Sequence, residues 1–323
     1  MSRAMQVVRT YQDVSPTIRG GAVAIGNFDG VHRGHRVVID AARTAAATHD
    51  CPAGVVCFSP HPRRFFAPHA PLFQLTDEAQ KLAQFAALGL DFTAVLTFNA
   101  ALASLTADQF VDDVLVGGLG VKAVVIGYDF HFGKGRAGSP DFLRAAGDDR
   151  GFEVHVVAPA KAEGTVFSSS SVRAFLRDGD VARAAEVLAR PYAVRGVVAR
   201  GDGRGTGLGF PTANIAMPEG ADLLPGIYAV RVQIVGRPER GTIDGAAYLG
   251  TRPTFQGEDV RLETFLFDFD GSLYGDEIEV AFVDFIRGDK AFESGEALAA
   301  QMEKDCAAAR DVLRHRSPVG VVG

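Results

Sequence analysis

The first part of the chain alternates short apolar runs with longer amphipathic stretches. The apolar runs predict buried strands, and the amphipathic stretches between them predict helices. Nearly all-apolar strands separated by helices are typical of a parallel sheet that is covered on both faces. The predicted strands are 23–26, 54–58, 92–98, 123–127 and 153–158, and the predicted helices are 31–48, 77–88, 107–116 and 140–146.

Capping residues indicate where several of these helices begin. Thr76 and Ser139 are expected N-caps, and Ser139 is followed by Pro140 at the first helical position. Thr106 and Gln109 form a capping-box pattern.

Beyond about residue 190 the pattern changes to successive strands. Alternating or β-branched segments predict strands over 192–199, 226–235, 245–249, 261–268 and 277–285, before a final helix over about 294–315. A β-barrel closed by one C-terminal helix is the most economical architecture. The sequence therefore predicts an α/β domain over residues 1–187 and a β-barrel domain over residues 188–323.

Composition narrows the possible partners. At 323 residues the chain is long enough for two domains, and 33 basic against 39 acidic residues leave a net charge of −6. This balance argues against a nucleic acid or an anionic membrane as partner. The sequence also lacks a signal-peptide core, a membrane-spanning apolar stretch and a cysteine framework, so we expect a cytoplasmic protein.

The segment Gly26-Asn27-Phe28-Asp29-Gly30-Val31-His32-Arg33-Gly34-His35 joins the first predicted strand to the first predicted helix. His32 and His35 are one turn apart and share a helix face. A helix start favours a phosphate, and protonated imidazoles there would stabilise a phosphoryl group during transfer. Two other interpretations are a zinc site, for which no third ligand is evident nearby, and an ordinary solvated helix start.

Further loops follow other strands at the carboxyl edge of the predicted sheet, where ligands bind in such folds. A basic, aromatic segment over 59–66 ends at Phe66, and a glycine-rich segment over 127–136 contains Asp129 and Phe130. A serine run, Ser168 to Ser171, is followed by Arg173 and suits a triphosphate. The alternatives are a flexible surface loop for 127–136 and an N-cap without a ligand for the serine run.

The second part contains a glycine-rich segment over 201–209, directly followed by Phe210-Pro211-Thr212-Ala213-Asn214. Glycine amides can surround ATP phosphates, and the Thr212 and Asn214 oxygens suit Mg²⁺. A plain linker is the alternative, although linkers rarely end in such a cluster.

These motifs resemble, in order and content, the bacterial bifunctional riboflavin kinase/FAD synthetase family. The family carries Gly-x-Phe-Asp-Gly-Val-His-x-Gly-His, Pro-His-Pro, Gly-x-Asp-Phe-x-Phe-Gly and Ser-Ser-Thr-x-x-Arg, then the flavokinase signature Gly-Arg-x-Leu-Gly-Phe-Pro-Thr-Ala-Asn. Here Ser170 replaces the family's threonine, and Thr206-Gly207 replaces an Arg-Thr pair. The loss of that arginine puts one contact of the glycine loop in doubt.

The resemblance implies a Rossmann-like nucleotidyltransferase domain that adenylylates FMN and a riboflavin kinase barrel, with riboflavin, FMN, FAD and ATP as substrates or products and Mg²⁺ as cofactor. It leaves the oligomeric state open. The implied catalytic residues are His32, His35, Arg173 and Glu263, the last as kinase base. The implied ATP-binding residues are Gly26, Asn27, Phe28, Asp129, Ser168, Ser169 and Ser170 in the first domain, and Gly201, Gly203, Gly205, Gly209 and Pro211 in the second. Phe66, Phe130 and Arg287 are candidate flavin contacts, and Thr212 and Asn214 are candidate metal ligands.

Two other functions remain open from sequence. One is a chain with a single live activity whose other domain is a binding scaffold, and the other is a flavin-sensing regulator without turnover. The presence of all the catalytic residue types argues against both.

Overall fold

The computed structural model describes residues 4–162, 164–200, 210–254 and 257–316. The chain forms two compact units. The first comprises Met1–Leu72 and Asp77–Ser168, and the second comprises Phe73–Thr76 and Ser169–Gly323. The predicted domain boundary between residues 187 and 188 stays a prediction. Within the described ranges, no helix is both long enough and apolar enough to cross a membrane.

The main sheet of the first unit is parallel, as the apolar runs predict. Its described strands are β1 (Gln6–Val8), β2 (Ala22–Ile25), β3 (Ala53–Ser59), β4 (Phe92–Thr97), β5 (Ala123–Gly127) and β6 (Glu153–Val157). They lie in the order β1-β4-β3-β2-β5-β6, so the chain reverses its direction across the sheet between β2 and β5. Ligands of open parallel sheets bind at such a switch point, beyond the carboxyl ends of the strands.

Helices cover both faces of this sheet. They are α1 (Arg33–Thr48), α2 (Pro62–Phe66), α3 (Glu78–Ala87), α4 (Ala100–Ser104), α5 (Ala107–Gln109) with a π-helix (Phe110–Leu119), a 3₁₀ turn (Lys134–Arg136) and α6 (Pro140–Arg150). A small hairpin, β7 (Lys161–Ala162) and β8 (Thr165–Val166), follows the sheet. One apolar cluster packs the π-helix and α6 against one face, and another packs α1 and α3 against the other. The predicted coverage of both faces is confirmed.

Local chemistry accounts for most helix starts and for two corrections. The Ser139 hydroxyl accepts from the Phe142 amide, and Thr106 and Gln109 form their capping box, as predicted. Thr76 as N-cap is wrong, because Asp77 caps α3 in a capping box with Gln80. The helix predicted from residue 31 begins at Arg33, since Val31 has a φ of +41°.

The second unit begins with helices and continues as an antiparallel sheet. Its described elements are α7 (Ser169–Arg177), α8 (Val181–Leu188), β9 (Tyr192–Val197), β10 (Thr212–Ala216), β11 (Gly226–Ile234), a 3₁₀ turn (Pro238–Arg240), β12 (Thr242–Thr254), β13 (Gly257–Leu266), β14 (Glu277–Gly288) and α9 (Gly295–His315). The strand order is β10-β13-β12-β11-β14-β9. The sheet curls until Ala199, just past β9, pairs with Asn214 on β10.

This curled sheet encloses an apolar interior. Tyr228, Leu249 and Leu262 are buried inside it, while Ala309 and Leu313 pack α9 against its outer surface. The predicted barrel with one terminal helix is confirmed. The segment Thr212 to Asn214, which none of the predicted strands includes, is part of β10, because its backbone pairs with β13.

Candidate active sites

The paired histidines are organised by the turn that begins α1. His32 is the N-cap, and its Nδ1 atom accepts a hydrogen bond of 3.2 Å from the His35 amide. The two imidazole rings stack, with centroids 3.5 Å apart and planes inclined by 21°. One turn of helix therefore holds both rings together at the end of β2.

The Phe28 side chain packs against this turn. It is buried, with a φ of +50°, and the edge-to-face distance from its ring centroid is 5.2 Å to His35 and 5.6 Å to Phe85 of α3. The strained backbone at Phe28 is compensated by aromatic packing on both sides. Phe28 is one of the residues predicted to bind ATP. The role that the structure shows for its buried ring is packing against His35.

Gly34 lies where α1 meets the segment before Ser168. A Cβ atom at this position would lie 2.7 Å from the carbonyl oxygen of Phe167 and 3.1 Å from the His32 ring. The Arg33 guanidinium stacks over the Phe167 ring at 4.8 Å. The glycine between the two histidines is therefore required by close approach of backbone, not by an unusual dihedral angle.

The electrostatics of this site differ from the expectation of two protonated imidazoles. Burial lowers the pKa of His35 well below its ordinary value, and the neighbouring His32 and Lys81 charges lower it further. His35 is therefore neutral near pH 7 without a bound anion. Its Nδ1 atom and the Oδ1 atom of Asn27 are buried without a hydrogen-bond partner in the described structure, so both are available to a ligand.

The other predicted residues of the first unit lie on loops at the carboxyl edge of the sheet. Gly26 directly follows β2. Asp129 is exposed in the turn after β5, and Phe130 stacks on Phe132 with centroids 5.6 Å apart. Phe66 ends α2 and is 68% exposed, in edge contact with Phe98. It is the most accessible aromatic surface among these candidates.

The serine run crosses from one compact unit to the other. Ser168 is the last residue of the first unit, and Ser169 and Ser170 form the first turn of α7 in the second. Arg173 lies one turn into α7, where its Nε donates a hydrogen bond of 2.7 Å to the carbonyl oxygen of Phe73, also in the second unit.

In the second unit, strand pairing brings together residues that are far apart in sequence. Asn214 on β10 lies directly opposite Glu263 on β13, so their side chains share one face of the sheet. Thr212 shares that face, and the Asn214 amide donates to its carbonyl at 3.1 Å and to its hydroxyl at 3.2 Å. The predicted kinase base and both predicted metal ligands therefore form one cluster.

The same row of paired residues continues across the sheet. Glu263 lies opposite Tyr248 on β12, Tyr248 opposite Ile227 on β11, and Ile227 opposite Arg287 on β14. Three strand spacings separate Glu263 from Arg287, about 14 Å along the curved sheet. The three predicted residues Asn214, Glu263 and Arg287 thus lie in a single line.

Arg287 is held from α9. It makes a bidentate pair with Asp305, with distances of 2.9 Å from Nε and 2.7 Å from Nη2, and Gln301 donates to the same carboxylate. This pairing raises the pKa of Arg287. Its Nη1 also donates to the carbonyl of Gly288 on β14. The bonds to Asp305 therefore anchor α9 to β14.

Sequence reasoning missed Tyr248 as a member of this row. Its hydroxyl donates to Asp289 at 3.1 Å, and a Cβ atom on Gly250 would overlap its ring. A tyrosine inside a predicted strand does not by itself indicate a functional site. Only the pairing with Glu263 places Tyr248 in this row. Pro211 is exposed just before β10, while Gly201, Gly203, Gly205 and Gly209 lie outside the described residues.

The donor set fits Mg²⁺ better than a soft metal. The Oδ1 atom of Asn214 is buried without a hydrogen-bond partner in the described structure, and neutral oxygen donors beside a carboxylate suit Mg²⁺. Among the described residues there is no group of three or more His, Cys, Asp or Glu side chains that could hold a metal.

Two family models match the chain, one in each half. The FAD synthetase family matches residues 15–171, and the riboflavin kinase family matches residues 188–313. With the parallel sheet and the curled antiparallel sheet, these matches define a two-part transferase with a nucleotidyltransferase half and a kinase half.

Curated relatives match over nearly the whole chain. Bifunctional riboflavin kinase/FMN adenylyltransferases from Pseudomonas fluorescens and Escherichia coli K12 are 40% and 36% identical, covering 95% and 97% of this chain and 97% and 100% of their own. The chain belongs to the bifunctional riboflavin kinase/FMN adenylyltransferase family, which confirms the family resemblance and the expectation of a two-activity enzyme. A crystal structure from Streptococcus pneumoniae, described as a macrolide-efflux protein, is 29% identical, has a TM-score of 0.84, and covers 98% of this chain and 100% of its own.

Proposed function

We propose that the second unit transfers the γ-phosphate of ATP to the ribityl 5′-hydroxyl of riboflavin, and that the loop between β2 and α1 is the centre where FMN is then adenylylated. The observation that carries the kinase assignment is the direct pairing of Asn214 with Glu263. The observation that carries the adenylyl-transfer assignment is the stacked pair of His32 and His35 at the start of α1.

In the kinase reaction, Glu263 orients the riboflavin hydroxyl and accepts its proton late. A primary alcohol is far less acidic than a glutamic acid, whose ordinary pKa is about 4.3, so early deprotonation is not required of this residue. In a loose transition state the proton leaves after most of the bond to phosphorus has changed. That Glu263 shares its sheet face with Asn214 and Tyr248 supports this role.

Thr212 and Asn214 would hold Mg²⁺ through their side-chain oxygens. A Mg²⁺ ion held there would supply positive charge against the ATP phosphates. Asn214 is suited to this role because its Nδ2 is used by Thr212 while its buried Oδ1 has no protein partner in the described structure. The two hydrogen bonds to Thr212 orient the Asn214 amide so that its oxygen remains available to a metal ion.

In adenylyl transfer, an oxygen of the FMN phosphate attacks the α-phosphorus of ATP, and the bond to the leaving pyrophosphate breaks. The FMN phosphate is already ionised near neutral pH, so no general base is needed. His32, His35 and Arg173 stabilise the developing charge, and Gly26, Asn27, Asp129 and Ser168 to Ser170 bind the nucleotide. A bound polyphosphate raises the pKa of His35 and favours its protonated form.

Single substitutions separate the two activities. His32→Ala is expected to abolish conversion of FMN to FAD while riboflavin is still phosphorylated, and Glu263→Ala to do the reverse. The assay incubates each protein with Mg²⁺ and ATP plus either flavin, then separates the flavins by chromatography. Loss of both reactions in either folded variant would contradict the assignment.

The same assay on the unaltered chain decides between the alternatives. Formation of FMN and then FAD supports the bifunctional enzyme, FMN alone supports a chain with one live activity, and unchanged riboflavin supports a flavin sensor. The cytoplasmic location and the absence of a nucleic-acid or membrane partner stay predictions.

A further inference from the structure

Lys81 on α3 is a buried cation that the proposed function does not use. The residue is 6% exposed, and within the described parts of the chain its ammonium group forms no hydrogen bond or ion pair. Glu78, three residues earlier, pairs instead with Arg9 at 2.5 Å between Oε1 and Nη1. Lysine is almost never buried without a partner, because an unpaired buried charge is costly.

The position of Lys81 relates it to the paired histidines. Lys81 and Phe85 are four residues apart, so they share one face of α3. On this face the Phe85 ring contacts Phe28, whose ring in turn contacts His35. Burial is the main cause that lowers the pKa of His35, and the charges of His32 and Lys81 lower it further.

Unpartnered polar atoms occur on α3 and at the β2–α1 loop. Gln84 is 7% exposed, and its Oε1 is buried without a hydrogen-bond partner in the described structure. The Asn27 Oδ1 and His35 Nδ1 atoms are also buried without a hydrogen-bond partner in the described structure. Buried polar atoms in folded proteins normally have partners, so the unsatisfied atoms of Asn27 and His35 indicate that a polar ligand completes them.

We propose that Lys81 is a further phosphate-binding residue of the adenylyl-transfer site. Its ammonium group contacts the reacting phosphates beside His32 and His35, and supplies positive charge in addition to that of the histidines. This inference rests on the proposed function of the β2–α1 loop. During transfer, the bond from the FMN phosphate oxygen to the α-phosphorus forms and the bond to pyrophosphate breaks.

The test replaces Lys81 with Met, which keeps the length of the apolar stem and removes the charge. The expected result is a fall of about 100-fold in kcat for FAD formation, the usual effect of removing one group that stabilises a phosphoryl or acyl transition state. Riboflavin phosphorylation by the same preparation should be unchanged. The thermal midpoint should be equal or higher, because an unpaired buried charge has been removed.

Two matched variants exclude a structural role. Lys81→Arg keeps the charge and should retain at least ten times the FAD formation of Lys81→Met. Lys122→Met, at an exposed lysine that bonds the His49 carbonyl before β5, should leave both activities unchanged. If Lys81→Met and Lys81→Arg are equally inactive with a lowered thermal midpoint, the residue is structural and the proposal is wrong.

His32→Ala distinguishes the two ways of failing. If His32→Ala abolishes FAD formation while Lys81→Met keeps it within threefold, the site is correct and only the role of Lys81 is refuted. If both variants keep FAD formation, the assignment of the β2–α1 loop itself is refuted.

Discussion

Gly34→Ala tests whether the start of α1 is the adenylyl-transfer centre. The added Cβ would lie 2.7 Å from the Phe167 carbonyl oxygen, so about 0.7 Å of displacement is needed to reach an ordinary contact of 3.4 Å. Neither side can yield cheaply, because both are backbone. The His32 ring, 3.1 Å from the same Cβ, must also shift.

The expected effect on activity is larger than the effect on stability. Overpacking costs about 1–3 kcal/mol, while alanine in a helix regains about 1 kcal/mol over glycine, so the chain should remain folded. Displacement of catalytic groups by about 1 Å can lower a rate by about 100-fold. We therefore expect FAD formation from FMN and ATP to fall by about that factor, measured by chromatography of the flavins.

The second activity of the chain is the internal control for Gly34→Ala. Riboflavin phosphorylation should remain at the level of the unaltered protein. Val37→Ala, at a residue 44% exposed on the next turn of α1, should change neither reaction. FAD formation within threefold of the unaltered level in Gly34→Ala would show that the geometry of this turn does not limit the transfer.

Two further predictions concern stability. Asp305→Ala should destabilise the second unit by about 3 kcal/mol in thermal unfolding, because it leaves Arg287 partly buried without its bidentate partner. Asp311→Ala, which breaks an exposed pair, should have little effect, and equal effects of the two would contradict the argument. Because the pKa of His35 is lowered in the folded state, the unfolded chain binds a proton first, so the stability from neutral His35 is present above about pH 6.5 and is lost as pH falls below it. His35→Asn should reduce the pH dependence of the unfolding free energy below pH 6.5 by up to about 1.4 kcal/mol per pH unit, and parallel pH profiles would refute the buried neutral imidazole.

The position of Arg287 makes its two possible roles separable. If Arg287 contacts the flavin, substitution of Arg287 alone should impair that contact. If Arg287 anchors α9, substitution of Arg287 and substitution of Asp305 should have a shared effect. The row from Glu263 through Tyr248 to Arg287 spans about 14 Å, enough to extend from a reacting hydroxyl to a ring system. We propose that Arg287 borders the flavin while its guanidinium group also holds α9 through Asp305.

Local patterns predicted much of the fold. Apolar runs located every strand of the parallel sheet except β1, and Ser139 and Thr106 located two helix starts, because these signals act over a few neighbouring residues. The segment over 107–116 was correctly expected to be helical, but only its first turn is α-helix and the rest is π-helix. Hydrophobic periodicity does not distinguish those two forms.

The sequence by itself determined which chemical groups are present and where along the chain they lie: the His32 and His35 pair after a strand, and the Thr212 and Asn214 pair after a glycine-rich segment. Tertiary structure alone decided that Asn214 lies opposite Glu263 and that His35 is neutral. Strand register depends on pairing between residues far apart in the chain, and a pKa depends on how completely the folded protein excludes water. Neither quantity is encoded in any short stretch of sequence.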